Sequence, residues 1–245
     1  MQTTERINRI KNWIIDYCKS MPTEAKTLVI GVSGGIDSSV TSTLCALTGK
    51  KTIILSMPIN QIQDQHNLSL KHQEWLKNKF KNVEGHIIKL DNVFDHFKNS
   101  LSNFKNNHGL ANSRARLRMT TLYQVAAANK GIVVGTGNKV EDFGVGFYTK
   151  YGDGGVDISP IADCNKTEVW ELGKELGILK EIIDAPPTDG LWDDGRTDEG
   201  QLGFSYNELE DAMSNPDSPH KAKYEKIRKQ NLHKMEPIPV CKIPS

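Results

Sequence analysis

A chain of 245 residues with 37% hydrophobic and 25% charged side chains carries enough apolar material for a packed core, which excludes wholesale disorder. Lys plus Arg number 31 against 30 Asp plus Glu, so overall charge makes no case for a nucleic-acid partner. Cys18, Cys45, Cys164 and Cys241 form no C-x-x-C pair, the N-terminal stretch lacks a signal-like apolar run, and no window has membrane-spanning length, so the chain is read as cytoplasmic with no membrane partner.

In chain order, Ile7, Ile10, Ile14 and Tyr17 recur at helical spacing and predict a helix over 4–20. Residues 27–33 are a short β-branched run ending in glycines, the mark of a buried strand, and 37–48 resume helical character. A second buried strand at 52–57, a polar helix over 62–80, a third strand at 86–90, helices near 92–104 and 112–129, and a fourth strand at 131–135 follow. Strands alternating with helices predict a doubly wound α/β fold, a parallel sheet covered by helices on both faces. Residues 138–157 show no periodicity and read as loop. A helix over 166–175 closes at Gly177, a good residue just past a helix end. The stretch 185–200, rich in Pro, Asp and Gly, reads as either a mobile lid, over about 187–200, or a disordered segment. Helices over 205–214 and 218–233 and an extended tail complete a single domain spanning 1–245.

The first strand-to-helix turn is the string Gly31-Val32-Ser33-Gly34-Gly35-Ile36-Asp37-Ser38-Ser39. In an open parallel sheet this position, at the carboxyl end of a strand, is where ligands bind. Glycines let the backbone approach an anion, and the free N–H groups of the helix start point at it. Asp37 is out of place beside phosphates unless a cation bridges them, and Mg²⁺ favours a carboxylate together with phosphate oxygens. No Lys precedes Ser38, so the G-x-x-x-x-G-K-[ST] pattern is absent, as is G-x-G-x-x-G. A serine-rich cap on an ordinary helix would use some of the same residues, but it would not call for the whole string.

That string resembles the pyrophosphate-binding loop of the ATP pyrophosphatase superfamily, whose members split ATP into AMP and pyrophosphate. Downstream segments narrow the resemblance. Asn112-Ser-Arg114-Ala-Arg116-Leu-Arg118-Met119, by itself readable as a basic helix face, resembles the N-x-x-A-R-x-R-M segment of NAD⁺ synthetases. So do Gly135-Thr136-Gly137-Asn138-Lys139-Val140-Glu141 and Phe147-Tyr148-Thr149-Lys150-Tyr151-Gly152-Asp153-Gly154-Gly155-Val156-Asp157, the second being the most specific string in the chain. Asn165-Lys166-Thr167, Thr188, the acidic Asp198-Glu199 before Leu202-Gly203, and His233-Lys234 continue the match in the family's order. Met235 stands where the family often has a further arginine.

The resemblance, to the short ammonia-dependent form of NAD⁺ synthetase, implies a Rossmann-like ATP pyrophosphatase fold and a set of roles. ATP would contact Gly31, Val32, Ser33, Gly34, Gly35, Ile36, Asp37, Ser38, Thr136, Lys166 and Thr188. Mg²⁺ would sit on Asp37 and Glu141, while Asp37 and Lys166 would carry the chemistry. Arg116, Lys150, Asp157, His233 and Lys234 would hold deamido-NAD; Asp153 has no implied role. The reaction implied is amidation of deamido-NAD by ammonia, through an adenylated carboxylate, with release of AMP and pyrophosphate. The resemblance also implies a homodimer, and 245 residues leave no room for a glutaminase domain. Two rivals stand beside it. A tRNA-modifying relative would ask for a nucleic-acid surface and sulfur-handling cysteines, against the even charge and scattered thiols. A nucleotide-sensing module would bind ATP and release no pyrophosphate.

Overall fold

A computed structural model describes residues 1–61, 63–188 and 197–243; most of the loop expected over 187–200 therefore lies outside the described residues. Four strands, β1 (Thr27–Gly31), β2 (Lys51–Ser56), β3 (Val83–Ile87) and β4 (Gly131–Val133), form one parallel sheet in the order β3-β2-β1-β4. β1 pairs Val29 with Ile53 on one side and with Val133 on the other. Because side chains alternate along a strand, Leu28 and Ile30 enter a different core from Val29. The first core packs α1 (Thr3–Ser20), α2 (Ile36–Leu47) and α6 (Lys166–Leu176) on the sheet. The second gathers Val29, Ile53, Leu55 and Val133 with Phe94 of α4 (Asp91–Ser100) and Ala126 of α5 (Asn107–Ala128). Helix α3 (Gln63–Lys79) adds Leu76 against Ile54 and Val32. Helices cover both faces, as the alternation of elements predicts, and among the described residues no helix is long and apolar enough to cross a membrane.

Four expectations are corrected. On α1 the buried stripe is Ile7, Ile10, Ile14 and Cys18, with Tyr17 at the exposed margin, because the steps of three and four end on the thiol. Strand β3 begins at Val83, earlier than the apolar 86–90 run suggests; it is an exposed edge strand, and Leu90 is buried at the start of α4 instead. Within the expected loop, Lys139–Val145 form a π-helical turn in which the Gly146 N–H reaches the Glu141 carbonyl. The Asn138 side chain starts that turn by accepting from the Val140 and Glu141 N–H groups at 3.0 Å each. Val140 and Val145 bury into a third core with α9 (Tyr206–Ser214) and α10 (Lys221–Met235). Two short helices follow, α7 (Lys180–Ile183) and α8 (Asp198–Leu202), and residues 198–200 are helical where loop was expected.

β4 lies tight against β1 at one point. A Cβ on Gly131 would stand 2.6 Å from the Thr27 carbonyl oxygen, a backbone atom with no side-chain freedom to retreat. Gly131→Ala is expected to cost about 1–3 kcal/mol of stability as the strands are forced apart. The urea midpoint reads this, and an unchanged midpoint would show that glycine is not what sets the spacing there.

Candidate active site

The strand order reverses at β1: the chain passes from β1 to β2 on one side, while β4 returns on the other. Loops leaving the carboxyl ends of β1 and β4 therefore diverge and open a crevice. The loop after β1 is anchored by Val32 N–H on the Leu55 carbonyl at 2.8 Å. Gly34 takes φ +95°, a conformation that side chains disfavour. The serines then close the loop on itself. Ser38 Oγ receives the Ser33 N–H at 3.2 Å and donates to the Gly35 carbonyl at 3.0 Å, where Ser39 Oγ also donates at 2.9 Å. Gly35 is the cap residue of α2 and has no side chain with which to cap it. The positive end of a buried helix is thus presented to the crevice, a ready anion site.

Asp37, in the first turn of α2, meets Glu141 of the π-turn and Lys166, the first residue of α6. Lys166 Nζ lies 2.6 Å from Asp37 Oδ2 and 2.9 Å from Glu141 Oε1, with its side chain only 1% exposed. Gly173 lets α6 approach: a Cβ there would stand 2.6 Å from Ile36 Cδ1. Asn138 ties the set together, donating from Nδ2 to Asp37 Oδ1 at 3.0 Å while its carbonyl starts the π-turn. The Tyr206 hydroxyl donates to Glu141 Oε1 at 2.6 Å. Burial works against the Lys166 charge, yet the two carboxylates outweigh it and push its pKa up. Burial pushes Asp37 up too, with Glu141 adding to it against the pull of Lys166. Glu141 is held below the ordinary range: burial opposes this, and the charge and hydrogen bond of Lys166 with the Tyr206 hydroxyl prevail. Two carboxylates already closed around a cation are a donor set that fits Mg²⁺, which takes one or two carboxylates plus substrate phosphates.

A second group lies along residues 146–157 and the end of α10. Arg116 donates to the Lys150 carbonyl at 3.3 Å, Lys150 Nζ to the His233 carbonyl at 2.8 Å, and Lys234 Nζ to the Gly146 and Tyr148 carbonyls at 2.7 and 2.9 Å. Three of the expected dinucleotide ligands are thus brought together as cations resting on carbonyls. His233 joins them through its backbone only. Asp157 is engaged elsewhere, accepting from the Val133 N–H at 2.8 Å and the Tyr123 hydroxyl at 3.0 Å. Asp153 accepts from the Thr149 N–H at 3.0 Å and so shapes the turn of its own loop. Thr136 follows β4 at the crevice, and Thr188 is the last described residue before the undescribed stretch.

Sequence reading passed over Tyr206, Asn138 and Asp142. Asp142 is largely buried beside Gly137, and burial together with Glu141, Asp153 and Asp37 pushes its pKa well up. Asn138 stands inside a quoted motif and carries the one readable signal, a polar side chain three residues before Glu141 at a helix-capping offset. Tyr206 lies 65 residues from the acid it holds, and nothing local marks it.

Comparison with known proteins shows the family and the fold. The family model described as NAD synthase matches residues 6–243. The NH(3)-dependent NAD(+) synthetase of Carboxydothermus hydrogenoformans is 37% identical over 212 residues, covering 84% of this chain and 83% of that protein. Among solved structures, NMN synthetase from Francisella tularensis superposes with a TM-score of 0.92 at 33% identity, covering 99% of this chain and all of the other (100%). The NH3-dependent NAD synthetase from Campylobacter jejuni superposes at 0.80 with 26% identity, covering 99% and 100%. With a family model spanning nearly its whole length, the chain belongs to the NAD synthase family of ligases.

Proposed function

We propose that this protein amidates deamido-NAD with ammonia at the expense of ATP, releasing AMP and pyrophosphate. The observation that carries the reading is the uncapped start of α2 beside the Asp37–Lys166–Glu141 set. A carboxylate resists ammonia because its leaving group would be oxide. The nicotinate carboxylate attacks the α-phosphorus of ATP and expels pyrophosphate, which residues 31–38 hold with their backbone N–H groups. Ammonia then adds to the acyl carbon, AMP departs with the bonding pair, and the surplus proton passes to solvent. Lys166 takes phosphate oxygens; Thr136 and Thr188 line the nucleotide. Arg116, Lys150, Lys234, His233 and Asp157 hold the dinucleotide. Mg²⁺ on Asp37 and Glu141, when bound, supplies the positive charge that phosphoryl chemistry needs. The protein works as one folded unit in the cytoplasm, as a homodimer.

ATP, Mg²⁺, deamido-NAD and ammonia together are expected to yield AMP and NAD⁺ in equal amounts, with both absent when ammonia is omitted under steady turnover. Formation of ADP in place of AMP overturns the reading. A second reading keeps the chemistry and shortens the substrate to the mononucleotide carboxylate, so that the product is NMN. It is favoured by the higher structural likeness and identity to the Francisella NMN synthetase than to the Campylobacter NAD synthetase. Comparing kcat/KM for the two carboxylates side by side decides between them.

A further inference from the structure

Lys166 is a lysine with nowhere to go except the site itself. Its ammonium is closed in by Asp37 Oδ2 at 2.6 Å and Glu141 Oε1 at 2.9 Å. The rings of Tyr206 and Trp170 lie on further sides, their centroids 4.8 and 6.0 Å away. The proposed function gives these two carboxylates to a divalent cation and this lysine to phosphate oxygens. Both assignments cannot hold with the side chains as they stand. A Mg²⁺ ion sits about 2.1 Å from each ligand oxygen, within the space the ammonium fills, and two cations there repel one another.

Resting on that reading, we propose that Lys166 is the resident counter-ion of the nucleotide-free enzyme: the divalent cation replaces its ammonium on Asp37 and Glu141 as the ammonium moves onto phosphate oxygens, and Tyr206 is the positioning residue that keeps Glu141 aimed through the exchange. The Tyr206 hydroxyl donates at 2.6 Å to Glu141 Oε1, the oxygen the ammonium also holds. Asn138 donates at 3.0 Å to Asp37 Oδ1, the oxygen the ammonium does not hold. Each acid therefore keeps a neutral donor when the lysine leaves, so the carboxylates stay while the cation changes. Metal alone finds its place taken. Nucleotide alone offers the ammonium a new partner but leaves two acids uncompensated beside the phosphates. Metal and nucleotide favour each other, and the coupling runs equally in both directions.

Mn²⁺ serves as the probe, with free ion counted by electron paramagnetic resonance and no turnover required. Nucleotide-free Lys166→Met is expected to bind Mn²⁺ at least about tenfold more tightly than wild type, with a melting temperature that Mn²⁺ raises far more than it raises the wild type's. Wild type with α,β-methylene ATP is expected to gain at least about tenfold in Mn²⁺ affinity beyond what the analogue binds by itself, and Lys166→Met to gain less. Equal or weaker Mn²⁺ binding by nucleotide-free Lys166→Met overturns the exchange. If that variant does not fold, Lys166→Gln, which leaves a neutral donor, answers the same question. Tyr206→Phe keeps the ring, and its melting temperature is expected within about 2 °C of wild type. Its Mn²⁺ affinity in the analogue complex should fall about fivefold, and an unchanged affinity removes the positioning role. A protein that passes these binding tests yet makes no AMP would refute the proposed function and leave the exchange standing.

Discussion

Asp37→Asn is expected to lower turnover by a factor of about 10² to 10³ while dinucleotide binding stays near the wild-type level. The replacement keeps the shape and removes the charge. At that position the carboxylate faces Lys166 at 2.6 Å and the Asn138 amide at 3.0 Å, at the start of α2 and away from the Arg116, Lys150 and Lys234 group. In the proposed reaction its charge is used where phosphate charge is handled, so its loss falls on kcat and on the response to Mg²⁺. Pyrophosphate release under saturating substrates measures the first effect, and calorimetry with deamido-NAD the second. Near-normal turnover in the variant would remove Asp37 from the metal site; a parallel collapse of dinucleotide binding would show that the two groups are not separate.

The second large effect concerns acid stability and a residue outside the crevice. His72, on α3, is 0% exposed, stacks on Trp75, and has Nε2 2.9 Å from Ser42 Oγ. Ser42 Oγ donates to the Ser38 carbonyl at 2.7 Å, so it accepts from His72 and the imidazole carries its proton on Nε2. Nδ1 is buried with no hydrogen-bond partner. Burial pushes the pKa from 6.5 down to about 3. The ring is thus neutral when folded and gains a proton on unfolding. Its contribution is fully present above pH 6.5 and drains away as pH falls toward 3, at up to about 1.4 kcal/mol per pH unit. His72→Gln removes this slope. It is expected to be less stable than wild type at pH 7.5 by about 1–2 kcal/mol, the worth of a disturbed buried hydrogen bond. That deficit should close near pH 5, as read from urea midpoints at the two pH values. Equal pH dependence in both proteins would show that His72 is not the group titrating.

The sheet and its phosphate-type loop were legible in the sequence because their information is local. Residues 28–30 are a run of apolar side chains, and the turn after β1 names its own chemistry. The acids and the lysine were legible as members of separate strings, and β1 and β4 being neighbours explains why those strings meet. What was not legible depends on contacts made across the fold. Tyr206 sits in an ordinary amphipathic helix, and only the packing of α9 against the π-turn turns its hydroxyl toward Glu141. The edge strand β3 carries Glu84, Gly85 and His86, so periodicity misplaced it toward Ile87 and Ile88. Asp157 is a dinucleotide ligand by resemblance, and nothing in its string shows that its carboxylate also accepts from the backbone of β4.

The widened turn from Lys139 to Val145 carries one residue more than an α-helical turn covering the same rise. Any relative that winds this segment as ordinary helix must be one residue shorter between Asn138 and Gly146, or else rotate one flank out of place. Removing a single residue such as Phe143, which is 49% exposed, would therefore rotate the two flanks of the turn by about a hundred degrees relative to one another. The length of this turn, as much as the identity of the acid on it, decides where that carboxylate points.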